Sequence, residues 1–352
     1  MTVPFVTGLT RDELQALCVA RKLEKWRANQ ILAWIHRLGA ESYADMTDLP
    51  RELRERLPGM IPLFATRVRH VHESVDGTLK LLVGLPDGHC VETVVIPDGD
   101  RRTVCISTQV GCPVRCAFCA SGREGLVRNL DASEIVEQVR HARAAISRRR
   151  EITNVVVMGI GEPLLNLEAL RKALTILGAE WGMRIGSRRF TVSTIGLPDR
   201  IRALAEGPVK PNLAVSLHAP NDAVRRELIP AAGKVTIEEL IEAGRWYREA
   251  ANRDVTFEYV LIGGVNDLPG HAAELARRLR GARVKVNVIP FNRVEGLRFE
   301  PPATASVDAF VKTLGDAGCW VTVRKRKGDD ISAACGQLRA QAEGRGSVPA
   351  RT

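Results

Sequence analysis

From residue 102 to about residue 290 the chain repeats one rhythm: a short β-branched run, a loop, then a helix. No other feature restricts its fold as strongly. The candidate strands are 104–108, 154–158, 189–193, 212–217, 256–261 and 284–289. Between them, 132–146, 168–177, 237–250 and 271–279 carry apolar residues at helical spacing. Strands that alternate with helices pair in parallel through right-handed crossovers. The chain therefore reads as α/β, with six units that curl into a partial (β/α)6 barrel. In such folds functional groups gather at the C-terminal ends of the strands.

The flanks read differently. Thr10-Arg-Asp-Glu13 is a capping box, which satisfies the free amides at a helix start. Ile31, Trp34, Ile35 and Leu38 follow at helical spacing, and Gly39 suits a C-cap. Pro50 and Pro58 bracket another short helix. Residues 1–62 are thus expected to form a small helical accessory domain. Asp76-Gly77, Asp87-Gly88 and Asp98-Gly99 then punctuate β-rich runs at 79–83 and 91–96, which predicts a β-hairpin linker region over 63–101. The barrel and its C-terminal loop occupy 102–338, and 339–352 reads as a disordered tail. The N-terminus carries no basic, apolar leader, and no run approaches the roughly 20 apolar residues of a membrane span. The expectation is a cytoplasmic protein with no membrane partner, taken as a monomer by default.

Cys112, Cys116 and Cys119 fall on one loop after the first barrel strand, in the spacing C-x3-C-x2-C. Thiolates are the usual ligands of iron–sulfur clusters, and an all-cysteine cube takes four. Three leave one iron open to an added group. A zinc site with a distant fourth ligand, or three unrelated core thiols, are the competing readings. Gly159-Ile-Gly161-Glu162-Pro163 ends the second strand. There a glycine turn admits close approach of a ligand and a carboxylate can receive an ammonium; the plain reading is an ordinary βα turn. Ser193 ends the third strand, Ser216-Leu217-His218 the fourth, and Asn292 follows the last. Singly each is a turn or cap residue; their common face is the argument.

The cysteine spacing and the Gly-Glu-Pro run resemble the radical S-adenosylmethionine (SAM) superfamily. The order of further motifs resembles, more narrowly, the RlmN/Cfr family of radical SAM RNA methyltransferases. Those motifs are Gln109-Val-Gly-Cys112, 126–130, 134–138, Ser216-Leu-His-Ala219, 257–267 and 324–337, the last containing Gly-Asp-Asp and Ala-Cys335-Gly-Gln. The resemblance runs to about Leu338. The chain departs from it at Ile160, where Met is usual, and at Gly264, where an acidic residue is common.

The resemblance implies a 4Fe–4S cluster on Cys112, Cys116 and Cys119. It implies SAM bound by Gly161, Glu162, Ser193, Ser216, Leu217, His218 and Asn292. The reaction it implies is methylation of adenine carbon 2 in 23S rRNA and tRNA, with carbon 8 as the alternative. Cys335 would first accept a methyl group. Cys105 would release the product as a disulfide with Cys335 forms, and Glu92 would accept the proton. A flavodoxin or ferredoxin would supply electrons. Read without the family, Cys335 is equally a small buried residue, Cys105 a core strand residue and Glu92 a solvent-facing strand residue. The net charge of +10, from 51 Lys+Arg against 41 Asp+Glu, suits a polyanion such as RNA and equally suits an arginine-rich surface. Arg148–Arg150, Arg188-Arg189 and above all 324–327 are candidate phosphate contacts. Two other readings remain: a radical SAM enzyme with another substrate, and an RNA-binding protein with a structural metal. The pair Cys105 and Cys335 argues against the second, which does not need it.

Overall fold

The chain starts with helices because its caps and apolar spacing leave little choice. In the computed structural model, which describes residues 4–146, 151–282, 284–334 and 336–338, α1 is Arg11–Ala20, α2 Arg27–Ala33 and α3 Arg51–Met60. Thr10 and Glu13 form the expected reciprocal cap on α1. The expected helix around Trp34 is a π-helical turn, Trp34–Leu38, that extends α2 and stops at Gly39 with φ +74°. Pro58 lies inside α3, in its last turns, rather than beyond it. Leu14, Ile31, Leu32, Ile35, Met46 and Leu57 make a core of their own.

Strands β1 (Arg67–Glu73), β2 (Leu79–Gly84), β3 (Cys90–Asp98) and β4 (Arg101–Cys105) then form an antiparallel meander. A small hairpin follows, β5 (Gln109–Gly111) with β6 (Leu126–Asn129). The parallel strands are β7 (Asn154–Val157), β8 (Phe190–Thr194), β9 (Asn212–Ser216), β10 (Val255–Leu261), β11 (Lys285–Pro290) and β12 (Trp320–Val323). Among the described residues one ten-stranded sheet runs β1-β2-β3-β4-β7-β8-β9-β10-β11-β12, parallel from β4 onward. The helices α4 (Ala132–Ala145), α5 (Leu167–Gly178), α6 (Pro198–Glu206), α7 (Asp222–Leu228), α8 (Ile237–Ala251), α9 (Pro269–Leu279) and α10 (Thr304–Asp316) occupy the crossovers. The main core lies between these helices and one face of the sheet: Val104, Val155, Val192, Leu213, Phe257 and Val286 point into it. The alternate residues face the other side.

Two expectations change. The first parallel strand is 101–105, not 104–108. Ser107 leaves the ladder because the buried Gln138 side chain takes both its N–H (2.7 Å) and its carbonyl (2.9 Å). A seventh parallel strand, β12, pairs beyond β11. The helical layer meets α4 through Glu137, whose carboxylate accepts from Thr7 Oγ1, the amides of Ala65 and Thr66, and Thr66 Oγ1. No helix among the described residues is long and apolar enough to cross a membrane. The expected tail, 339–352, lies outside the described residues.

Candidate active site

The C-terminal strand ends converge on one cavity, with about 1060 Å³ of empty space counted to its open mouth. Cys112, Cys116 and Cys119 form one wall. They sit on the loop between β5 and β6, closed at its base by Cys112 N–H on Gly125 O (2.9 Å). Gly111 at that base has φ +74°, and a Cβ there would run into Gly125 O. Ala117 N–H donates to Leu228 O of α7 (2.9 Å), so a helix braces the loop from behind. Burial pushes the Cys112 thiol up to about 11 and Cys116 well above the ordinary thiol value, and repulsion from Cys119 and Glu162 adds to both. Among the described residues no three side chains of His, Cys, Asp or Glu converge as they would around a single ion. What fits an iron–sulfur cluster is the donor set: three soft sulfurs on one loop, walled by Val114 and Phe118, beside open cavity.

The glycine turn after β7 supplies the next wall. A Cβ on Gly159 would come within 2.6 Å of Ser107 Oγ, and one on Gly161 within 2.7 Å of Gln109 Cβ. Only glycine lets the turn pack this closely. Glu162 lines the cavity and is almost fully buried. Burial lifts its carboxyl to about 7, against hydrogen bonds from Ile195 N–H (2.9 Å), the Thr194 side chain and Leu164 N–H (3.1 Å).

Ser193, Ser216, His218 and Asn292 complete the ring of strand ends, as expected. His218 has a left-handed backbone, φ +56°. Its Nδ1 accepts from Val260 N–H (2.9 Å), and burial lowers its pKa to about 3, so it is a neutral acceptor. Its ring meets Phe118 of the cysteine loop edge-on at 5.0 Å. Leu217 is the exception. Its side chain is wholly buried in the main core, and only its backbone belongs to this region.

Sequence reasoning missed three residues here, Asn266, Arg225 and Glu258, and gave a fourth, Arg324, the role of a phosphate contact. Asn266 is fully buried and ties His218 O and Val260 O to its Nδ2 (2.8 and 2.7 Å) while accepting from Ile262 N–H (2.7 Å). Arg225 of α7, also buried, donates to Ile195 O and Ser216 O behind Glu162. Glu258 and Arg324 line the cavity itself. The Val-Asn-Asp run containing Asn266 was visible, but its role needs strand ends that only the fold brings together.

After β12 the chain crosses the cavity mouth as a strap. Arg324 N–H donates to Val288 O (2.8 Å) and Gln337 Nε2 to Arg293 O (3.1 Å) on one side. On the other, Asp330 accepts from Ser74 Oγ and Val75 N–H, and Gly328 N–H donates to Asp76 (3.1 Å) of the β1–β2 turn. In the middle, Ala120 N–H bonds Gly336 O (2.9 Å) and Ser121 Oγ bonds Leu338 O (2.7 Å), on the cysteine loop. Cys335 lies outside the described residues. Its chain neighbour Gly336 lines the cavity. Cys105, buried on β4, packs in one cluster with Val94, Ile160 and the strap residues Ala333 and Leu338. It does not line the cavity.

Glu92 is buried, not solvent-facing. It stands two residues from Val94, the partner of Cys105, on the same face of the sheet, and Lys80 Nζ pairs with it at 3.1 Å. Lys80 also reaches Ser332 O of the strap (3.4 Å). Of the basic runs, Arg324 turns into the cavity while Lys325 and Arg326 are exposed. Arg188-Arg189 lies at the N-terminal end of β8, away from the mouth. Within the run Arg148–Arg150 nothing falls inside the described residues.

Comparison with known proteins agrees with this geometry. Residues 106–287 match the family model of the radical SAM superfamily, and 6–62 that of the ribosomal RNA large subunit methyltransferase N-terminal domain. The chain is 45% identical, over 96% of its length and 91% of the relative's, to "Probable dual-specificity RNA methyltransferase RlmN" of Rhodopirellula baltica. A protein of Gloeobacter violaceus with the same name is 44% identical over 96% of both chains. A crystal structure of a radical SAM methyltransferase from Sphaerobacter thermophilus superposes with a TM-score of 0.93 at 46% identity, covering 96% of this chain and all of that one.

Proposed function

This chain belongs to the RlmN family of the radical SAM superfamily, and from that premise we propose that it methylates adenine carbon 2 in 23S rRNA and tRNA through a methylated Cys335. It would act in the cytoplasm as a monomer, with a flavodoxin or ferredoxin as reductant. The observation that carries the reading is the strap. It leads the residues on either side of position 335 across the cavity mouth, bonds the cysteine loop at Gly336 and Leu338, and packs against Cys105.

Cys112, Cys116 and Cys119 would hold the cluster, and Glu162 the amino group of SAM. When bound, the cluster supplies the electron that cleaves SAM, and SAM supplies both the methyl group and the hydrogen-abstracting radical. The protein's own residues do the rest. Gly159 and Gly161 bring backbone close to the ligand. Neutral His218 and the serines at the ends of β8 and β9 fix its orientation. Burial among Val94, Ile160 and the strap residues Ala333 and Leu338 keeps Cys105 away from water. Glu92, held by Lys80 on the same sheet face, is the carboxylate nearest in register to Cys105 and would take the proton. The helical N-terminal layer and the exposed Lys325 and Arg326 would engage RNA phosphates.

Peptide mass spectrometry after anaerobic reconstitution with methyl-labelled SAM tests the relay. The expected result is label on Cys335 and, with RNA present, on adenine carbon 2. An unlabelled Cys335 in protein that still cleaves SAM overturns the relay. Label on carbon 8 keeps the relay and overturns the choice of carbon.

A further inference from the structure

Lys80 is a largely buried cation to which the reaction above gives no step. Its side chain is 14% exposed and that of Glu92, its ion-pair partner, 6% (Nζ–Oε1 3.1 Å). Strand register places the pair. His72 of β1, Lys80 of β2, Val94 of β3 and Cys105 of β4 lie side by side in one row. Glu92, two residues before Val94, faces the same way one step along β3. Lys80 therefore meets it on the diagonal, a distance that a lysine side chain spans. The strap lies against Lys80 as well. Lys80 Nζ donates to Ser332 O (3.4 Å), and Ser332 holds a left-handed backbone, φ +52°, three residues before Cys335. A residue other than glycine keeps that conformation only where its surroundings impose it. Gly328 N–H on Asp76 (3.1 Å), with Asp330 on Ser74 and Val75, pins the same turn of the strap to the same hairpin. One ammonium thus joins Glu92 to the segment that carries Cys335.

The chemistry gives that link a task. A methyl group that replaces hydrogen on an aromatic carbon displaces it as a proton, whose bonding pair stays with the ring. The acceptor must be a carboxylate at that moment. A carboxyl group taken out of water favours its neutral form, and a cation in contact favours the charged one. Lys80 is that cation. His72, next to it in the row, is not: burial first and the Lys80 charge second lower its pKa, so it is neutral at pH 7. A plain cross-strand ion pair would leave the contact with Ser332 without a use. We infer that Lys80 is a positioning residue for release of the methylated base: it keeps Glu92 charged and fixes it against the strap, beside the row that holds Cys105. The inference rests on the role proposed above for Glu92.

The test is a double-mutant cycle of Lys80→Met and Glu92→Gln, with Lys80→Arg beside it. It uses the full-length, anaerobically reconstituted protein with tRNA and methyl-labelled SAM. Three quantities are read: label on Cys335, RNA still linked to protein through the transferred carbon on a denaturing gel, and methylated adenosine released. Loss of a bond between buried charges predicts that Lys80→Met slows release about tenfold or more. Label on Cys335 and the KM for RNA should stay within about twofold of native, while the linked RNA accumulates. Lys80→Arg keeps the cation and should restore most of the release. In Glu92→Gln protein, removing Lys80 should slow release by no more than about twofold further, because its effect runs through the carboxylate. Native release in Lys80→Met, Lys80→Arg no faster than Lys80→Met, Cys335 label lost in step with release, or additive losses in the double variant each overturn the inference. Glu92→Gln that releases product at the native rate refutes instead the role given to Glu92, so the two failures are distinct. Native iron content and melting temperature in Lys80→Met exclude a folding defect. Where that variant does unfold, Glu92→Gln against the double variant still decides the matter.

Discussion

At the scale of single residues, Glu162 is pulled two ways: burial disfavours its charge, while the amides of Leu164 and Ile195 favour it. An incoming ammonium tips the balance towards carboxylate. Glu162→Gln keeps the shape and removes that pairing, so SAM should bind about 10- to 100-fold more weakly at unchanged iron content, measured by dialysis. Affinity within twofold of native would remove Glu162 from the site. Gly161 offers a different test. With φ +110° and Gln109 at its face, Gly161→Ala is strained in backbone and in space, and should cost about 2 kcal/mol or more in urea unfolding. Residues such as these were legible because loop chemistry is local: three cysteines in eight positions, or glycines flanking a carboxylate, carry their meaning in the sequence. Asn266, Arg225 and Glu258 were not. A buried polar residue becomes informative only when the groups it satisfies are known, and those come from strands far apart in the chain. Glu92 misled for the same reason. Alternation with valines reads as an exposed face, but here the second face of the sheet is covered by the strap.

At the scale of elements, the parallel crossovers were legible from periodicity, and the helices at α4, α5, α8 and α9 start and stop within two residues of their expected ends. The misread ends of β4 have a physical cause: 104–108 is rich in β-branched residues, but Gln138 competes for Ser107. Trp320–Val323 is β-branched but only four residues long and lies at a sheet edge, so it did not stand out as a further unit of the repeat. The contact between the helical layer and α4 was invisible, because it is polar. It buries two histidines, His36 against Trp181 and His141 on Thr66 Oγ1 (2.8 Å). Burial, reinforced by Arg140, lowers both to about 4. Each is therefore neutral in the fold and protonates more readily when released. Their contribution is fully present above the unfolded value near 6.5 and is lost as pH falls towards 4, on the order of 3 kcal/mol each at most. The melting temperature should fall from about pH 7.5 to about pH 5. His36→Phe keeps the ring against Trp181 and removes two buried nitrogens to which no described residue offers a hydrogen bond, so its decline should be shallower. Parallel declines would show that this contact does not set the acid response.

At the scale of the whole molecule, the sheet has two edges, β1 and β12, and the strap is what joins them. It leaves β12, crosses the strand ends and anchors on the β1–β2 turn, so the accessory hairpins serve the far end of the chain as well as the near one. The sequence showed a Gly-flanked cysteine beyond the barrel, but not that Asp76 and Asp330 clamp its path, since the turn and the strap lie more than two hundred residues apart. This arrangement separates two tasks. On the proposed function, the cysteine loop, Glu162 and His218, which also bond Leu228, Ile195 and Val260 of the barrel, would bind SAM without the clamp on the β1–β2 turn. Delivery of Cys335 to that site, as proposed, would need it. Breaking the clamp with Asp76→Ala and Asp330→Ala together should therefore leave SAM binding and slow SAM cleavage intact, while methyl transfer to RNA falls on the order of a hundredfold, as misplacement of a reacting group requires. Counting 5′-deoxyadenosine formed per methylated adenosine measures the split, and the ratio should rise well above that of the native protein. If both activities fell together, the strap would be part of the SAM site rather than a carrier across it, and the hairpin would be holding the barrel, not the cysteine.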